Sequence, residues 1–151
     1  MISKTERLSL KLLRLLSFAT AVALLFSSLA LISVTGTASR GASDFGVKQY
    51  DDFHDVLHPL EHEALPQKDF ARIRANEKEF VKRGQAIVKL GVPRGTAANN
   101  ISEFRKELKK FNTALAKFKK DARSGKDDKL EASFASVHDS FEMLVGMLPR
   151  K

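Results

Sequence analysis

Three of the chain's four histidines lie in the segment DDFHDVLHPLEHE, as His54, His58 and His62. Successive histidines are four residues apart, about one turn of an α-helix, so a helix places neighbouring rings on one face. Imidazole is the commonest side-chain ligand for transition metals, and carboxylates, which also bind metals, surround these histidines. The segment therefore predicts a metal-binding helix face.

A proline interrupts the same segment. Pro59 has no backbone N–H, so within a helix it leaves the carbonyl of Asp55 without its usual partner, at a cost of about 3 kcal/mol. Two interpretations follow: either the helix kinks and tilts the later histidines relative to His54, or Pro59 begins a second short helix, PLEHEAL. Departures from regular helix geometry are frequent at functional sites.

The elements that must position these residues are helical. Apolar residues recur at spacings of three and four over residues 47–64, 69–90, 100–123 and 128–148, and no stretch alternates over the length of a strand. Short loops separate these segments. The pattern predicts an all-α fold, an up-down-up-down antiparallel four-helix bundle over residues 47–151 with a phenylalanine-rich core.

The fourth histidine, His138, lies in the last predicted helix. The first and last helices of such a bundle are neighbours, and His54 and His138 each lie ten residues from the same predicted end. We therefore predict that these two residues face each other at one level, with His58 one turn away, and that all three bind the metal. The residues that complete the ligand set are predicted among His62, Glu61, Glu142 and Glu77, with Asp55 or Asp139 accepting hydrogen bonds from the rings.

Glu77 is a candidate because it occupies an apolar-stripe position of the second predicted helix. A buried carboxylate is costly unless it is paired or bound to a cation. A metal ion would meet that need, and so would an ion pair with a neighbouring base such as Arg74. Both interpretations stay open at this point.

Residues 1–39 form a separate segment, which is basic at first and then uncharged from Leu15 to Ser39. This order is typical of a secretory signal peptide, and the apolar length also fits an uncleaved transmembrane anchor. With either one, the remainder is expected outside the cytoplasm, in the periplasm or at the cell surface. Residues 40–46 are predicted as a flexible linker to the bundle.

The chain has no cysteine, which excludes thiolate metal ligands, thiol catalysis and covalent c-type haem. Of its 26 basic and 18 acidic residues, four and one lie in residues 1–39, which leaves 22 and 17, or a charge of +5, for residues 40–151. We interpret this modest excess as a surface property and expect no nucleic-acid partner.

Charge is unevenly divided between the helices, because the first predicted helix is acidic and the third is basic. The acidic residues are Asp51, Asp52, Asp55, Glu61 and Glu63, and the basic residues are Arg105, Lys106, Lys109, Lys110, Lys117, Lys119 and Lys120. Such faces commonly direct correct helix pairing. A docking surface for an acidic protein partner or an anionic membrane is the alternative, and a homodimer is a further hypothesis.

The last predicted helix contains FASVHDSFE, which resembles the haem-binding segment of cytochromes of the c′ type, exported four-helix bundles with a Cys-x-x-Cys-His motif. Phe134 and Val137 stand where the cysteines would be, and His138 stands where the haem ligand would be. The resemblance implies that His138 is an inherited ligand and that the covalent cofactor is lost or exchanged. Similarity to soluble b-type cytochromes implies noncovalent haem b between His54 or His58 and His138.

The sequence contains no evident catalytic arrangement, since a Ser-His-Asp order, a Gly-rich phosphate loop and a His-Glu-x-x-His motif are all missing. We therefore expect a nonenzymatic, exported bundle that binds Zn, Cu or Ni for metal handling or sensing. The alternatives are electron transfer by noncovalent haem b and an interaction module without a ligand.

Overall fold

A computed structural model describes residues 44–149. Helices account for 78% of these residues and no strand occurs among them, so the predicted all-α class is confirmed. The predicted signal or anchor at residues 1–39 and the beginning of the predicted linker lie outside the described residues. Within residues 44–149, no helix combines the length and the apolar character that crossing a membrane requires.

Five helices and two short helical turns follow one another along the described chain. The helices are α1 (Lys48–Pro59), α2 (Phe70–Ala75), α3 (Glu77–Leu90), α4 (Ile101–Ser124) and α5 (Asp127–Val145); a π-helical turn (Leu60–Ala64) extends α1, and a 3₁₀ turn (Ala98–Asn100) precedes α4. Gly91 ends α3 with a φ of 73°, in the left-handed region that favours glycine. The outer bounds agree with the predicted ones to within three residues, and two internal points differ from a regular helix.

The first of these points is Pro59, the last residue of α1. The next five residues form the π-helical turn, after which the Leu65 N–H donates to the Leu60 carbonyl at 2.9 Å. Because Pro59 lacks an N–H, the regular ladder of hydrogen bonds is interrupted here, and the wider turn absorbs the interruption without ending the helix. The predicted irregularity is confirmed, in a form that is neither a separate α-helix nor a simple kink.

The second point is Asn76, which divides the predicted helix 69–90 into α2 and α3 with a φ of −90° and a ψ of −1°. Its side-chain amide donates to the Arg72 carbonyl at 2.9 Å, so the side chain competes for an acceptor that the helix backbone uses. At the start of α2, Asp69 accepts a hydrogen bond from the Arg72 N–H at 2.9 Å and caps the helix. The described chain therefore has five helices where four were expected.

One phenylalanine from each of four helices lies at the centre of the core. The ring centroid of Phe53 in α1 lies 4.9 Å from that of Phe80 in α3. The same centroid lies 5.5 Å from that of Phe111 in α4 and 5.1 Å from that of Phe141 in α5. All four rings are fully buried. Aromatic pairs at such distances contribute about 0.5–1.5 kcal/mol beyond the burial of their area, so this cluster ties the helices together.

The helices differ in how closely they approach one another. α4 and α5 share the most extensive contact, and α3 packs on both α1 and α4. At Gly84 of α3, an added Cβ atom would lie 2.7 Å from the side chain of Leu115 in α4, so the missing side chain permits close approach. α1 and α5 meet mainly through the rings of Tyr50, Phe53 and Phe141, with little close backbone contact. A seam that can hold polar side chains therefore runs between α1 and α5.

Replacement of Phe53 by alanine tests the central cluster. Because the change removes ring contacts with three helices and leaves a cavity, we expect a loss of about 3–5 kcal/mol in the free energy of unfolding, measured by urea denaturation. Leu90→Ala is the control, since Leu90 is 39% exposed and its truncation should cost less than about 1 kcal/mol. Equal losses in the two variants would contradict a central role for Phe53.

Candidate metal centre

The three histidines of the first segment form a column of neighbouring rings. The ring centroids of His54 and His58 are 5.2 Å apart, and those of His58 and His62 are 4.4 Å apart. Two imidazoles that bind one metal at about 2.0–2.1 Å, at angles between 90° and tetrahedral, place their centroids roughly 4.5–5.2 Å apart. Each neighbouring pair therefore has a spacing close to that of shared coordination.

Burial decreases along this column from the core to the solvent. Tyr50, four residues before His54, is fully buried, whereas His54 is half-buried and His58 and His62 are exposed. Four residues turn an α-helix by about 400°, so within α1 the steps from Tyr50 to His54 and from His54 to His58 each move the side chain by about 40° around the axis. The four-residue spacing thus carries successive rings out of the core, and His54 is the innermost histidine of the column.

His54 lies against apolar rings. Its ring centroid is 5.4 Å from that of Phe45 and 6.4 Å from that of Phe141. Burial lowers the pKa of His54, and the positive charge of protonated His58 lowers it further, against the opposing attraction of Glu142. A metal binds only the deprotonated ring nitrogen, so this environment favours the metal-binding form of His54.

His138 meets the π-helical turn through a carboxylate. Its Nε2 lies 2.9 Å from Oε1 of Glu61, and its Nδ1 lies 3.5 Å from Oδ1 of Asp139. The second Glu61 oxygen lies 4.0 Å from Nε2 of His62. The side chains of Glu61 and His138 are only 23% and 28% exposed, which places the pair within the seam between α1 and α5. Glu61 thus links histidines from the two segments that the sequence predicts to meet.

His138 is paired with Glu61, whereas the sequence predicts that it faces His54. Lys68 lies seven residues after Glu61, and its Nζ is 2.6 Å from Oε1 of Glu131, which lies seven residues before His138. These two side-chain contacts run in opposite directions along the two segments. The predicted partner of His138 is therefore corrected from His54 to Glu61.

Glu77 has a basic partner elsewhere in the fold. It is 6% exposed, and its Oε1 lies 3.1 Å from Nη2 of Arg123 near the end of α4, an ion pair without an aligned hydrogen bond. Arg74, the predicted pairing partner, instead donates to three backbone carbonyls at the end of α4. The described contacts therefore connect Glu77 to α4 and do not connect it to the histidine column.

No group of three or more His, Asp or Glu side chains in residues 44–149 is already arranged to hold a metal ion. What the seam contains is two adjacent imidazole pairs, with the Glu61–His138 pair beside the outer one. The side chain of His62 is 60% exposed, and exposed side chains change rotamer within nanoseconds. A three-ligand site therefore requires at least side-chain rotation.

Three groups surround the ring nitrogens between which a haem is predicted. Phe45 and Phe141 pack on His54, and Oε1 of Glu61 lies 2.9 Å from Nε2 of His138. A haem held between His54 and His138 would have to displace these three groups.

Two aromatic residues near the histidine column are not among the predicted site residues. Phe45 lies in the predicted linker 40–46, yet its ring packs on His54 and its N–H donates to Oδ1 of Asp51 at 2.8 Å. Tyr50 belongs to the predicted apolar stripe, and its buried hydroxyl has no hydrogen-bond partner within the described residues. In the sequence, Phe45 is indicated by being an aromatic residue just before the start of the helix. Tyr50 is indicated by its four-residue spacing from His54.

The chain matches no protein-family model, no curated protein and no solved structure. A functional assignment therefore rests on the residues and contacts of the chain itself.

The lowered pKa of His54 predicts that stability depends on pH. The charged groups that act on His54 are His58, His62, Asp55 and Glu142. Because the folded-state pKa lies below the ordinary value of 6.5, the unfolded chain binds this proton more tightly. Stability that is present above pH 6.5 is therefore lost as the pH falls through the folded-state pKa. Urea unfolding at a series of pH values measures the loss, and an unaltered pH dependence in His54→Gln would contradict this assignment.

Proposed function

We propose that this chain is an exported four-helix bundle that binds a transition metal ion at the seam between its first and last helices. In this arrangement α2 and α3 together form the second arm, and α1, α4 and α5 form the other three. Glu61 contacts His138, and Lys68, seven residues later, contacts Glu131, seven residues earlier in α5. The opposite order of these contacts supports an antiparallel alignment of the first and last arms. The observation that carries the metal proposal is the histidine column, which Glu61 joins to His138.

His58 and His62 are the primary ligands in this proposal. Their rings are the closest pair, and both are exposed, so a metal ion reaches them without opening the core. Glu61 and His138 supply the next donors, because the Glu61 carboxylate lies between His62 and His138. Binding at this point exchanges the Glu61–His138 contact for bonds to the metal. Until the ion arrives, this contact keeps the two donors close together.

His54 forms the inner part of the proposed site, and the exposed Glu142 lies near it. His54 has a ring spacing of 5.2 Å to His58, and Glu142 is close enough to act on the charge of His54. An ion held by His54 and His58 would lie deeper in the seam than one held by the outer pair. Glu77 is the least favoured candidate, because Arg123 already supplies its positive partner.

The donor set favours Zn, Cu or Ni. Imidazole combined with carboxylate binds such ions well, whereas sites made of oxygen ligands alone prefer Mg or Ca. Exposed ligands and a site that closes by side-chain rotation favour reversible binding, and hence metal handling or sensing in a nonenzymatic role. Imidazole ligands also fit the extracytoplasmic location predicted from residues 1–39, where thiols are prone to oxidation.

Calorimetric titration of the full-length protein with Zn, Cu and Ni salts tests this proposal. We expect binding of at least one of these ions. Each of the variants His58→Ala and His62→Ala should bind it at least about tenfold more weakly, because even partners outside a ligand set usually matter that much. No binding of any of the three ions, or equal binding by the original protein and both variants, would contradict the proposal.

Two glutamates of the π-helical turn form a matched pair for the same titration. Glu61→Gln should weaken binding, because it removes a donor that lies beside His62 and His138. Glu63→Gln removes a carboxylate that pairs with Arg72 at 2.8 Å, and it should leave metal affinity unchanged. Equal effects of the two changes would count against Glu61 as a ligand. A haem absorption band in the purified protein would favour the haem b alternative.

A further inference from the structure

A groove between α4 and α5 is a second feature that could bind a partner. Its volume is about 460 Å³, and the four lysines that line it are Lys106, Lys109, Lys110 and Lys117 of α4. Ala114 of α4 and Ser140 of α5, both nearly buried, form its floor, and Ser136 lies on the α5 side. No acidic side chain of the described residues lines this groove. The groove therefore has a cationic wall over a floor of small residues.

Part of the positive charge of the groove is available to a partner. Lys109 has no ion pair within the described part of the chain, and the Lys106–Glu103 pair is exposed on both sides. The other two lysines contact the carboxylates of Glu107 and Asp121, which are only 4% and 13% exposed. Because exposed ion pairs are weak, a partner that brings carboxylates competes most easily for Lys106 and Lys109.

An exposed apolar side chain lies along the same side of α5. Met143 is 54% exposed, and among the described residues Leu90 is the other large hydrophobic residue that is exposed. Met143 lies seven residues after Ser136, which is about two turns and places both on one side of the helix. Methionine adapts its shape and is frequent at protein-binding surfaces. The groove thus offers charge along one wall and an apolar contact beside it.

The length of the groove indicates the kind of partner. Lys106 and Lys117 are eleven residues apart, or about 16 Å and three turns along α4. A row of this length matches a short helix that presents carboxylates at intervals of three or four residues. We propose that the groove binds an acidic amphipathic helix of a partner protein, with carboxylates at the lysines and an apolar side chain against Met143. This proposal does not depend on the metal site.

An acidic helix fits this surface better than an anionic membrane does. The floor at Ser140 lies below the lysine side chains, where a side chain of a partner can reach and a flat bilayer cannot. Lys119 and Lys120 carry the same charge on α4 but do not line the groove. A membrane attracted by surface charge alone would respond to both sets of lysines alike. The two sets therefore provide a matched comparison.

The probe for the test is a synthetic acidic helical peptide of about four turns, with glutamates along one edge and leucines beside them. Its binding is measured by the fluorescence anisotropy of a dye attached to the peptide. We expect the full-length protein to bind it, and Lys109→Glu/Lys117→Glu to bind it at least about tenfold more weakly. The control Lys119→Glu/Lys120→Glu has the same net charge and should lose less than about twofold. If circular dichroism shows that the first double variant is unfolded, Lys109→Ala/Lys117→Ala takes its place with a loss in the same direction.

Met143→Ala should weaken peptide binding by about threefold, and the control Leu90→Ala should leave it unchanged. Equal losses in the two lysine double variants would overturn the proposal and indicate diffuse charge attraction. The absence of peptide binding would also overturn it.

The last measurement uses vesicles of phosphatidylglycerol and phosphatidylcholine in place of the peptide. If the groove variant loses vesicle binding and keeps peptide binding, the groove is a membrane contact and the proposal is overturned.

Discussion

The contacts of Phe53 with Phe80, Phe111 and Phe141 hold together the helices on which every other feature of this fold depends. α1 has only twelve residues, and a helix of that length is marginal on its own in water. With no cysteine in the chain, its attachment relies on packing. The size of the rings has a second effect, because α1 and α5 meet ring to ring and with little close backbone contact. The space that remains between these two helices is the seam in which the histidines and carboxylates lie.

Pro59 then determines which polar groups occupy that seam. The π-helical turn that follows it is wider than an α-helical turn, so the side chains within it point in directions that a regular helix would not provide. Glu61 reaches His138 from this turn, while His62 stays next to His58. A local interruption of backbone hydrogen bonding thus brings donors from two distant segments together. Irregular helical turns are frequent at functional sites for this physical reason.

α5 contributes to two different surfaces, and its periodicity separates them. His138 faces the seam toward α1, whereas Ser136 and Ser140, each two residues away, line the groove toward α4. Two residues correspond to about 200° around a helix, so side chains two positions apart lie on opposite sides of it. α4 and α5 are in close contact, whereas α1 and α5 approach each other less closely, so the two surfaces differ in shape as well as in side chains. One is a polar seam with imidazole donors, and the other is an open groove with ammonium groups.

The spacing of residues along the chain is enough to predict the all-α class, the outer helix bounds and the contact of neighbouring histidine rings, because helix geometry acts over a few residues. The break at Asn76 is harder to predict, since the apolar pattern of the predicted helix 69–90 continues through it and a side-chain hydrogen bond interrupts the backbone. Phe45 joins the core from a segment without periodicity. The partner of His138 depends on the π-helical turn after Pro59 and on how the two helices pack. These long-range contacts decide which side chains meet, so no spacing within either segment could reveal that Glu61, and not His54, would pair with His138.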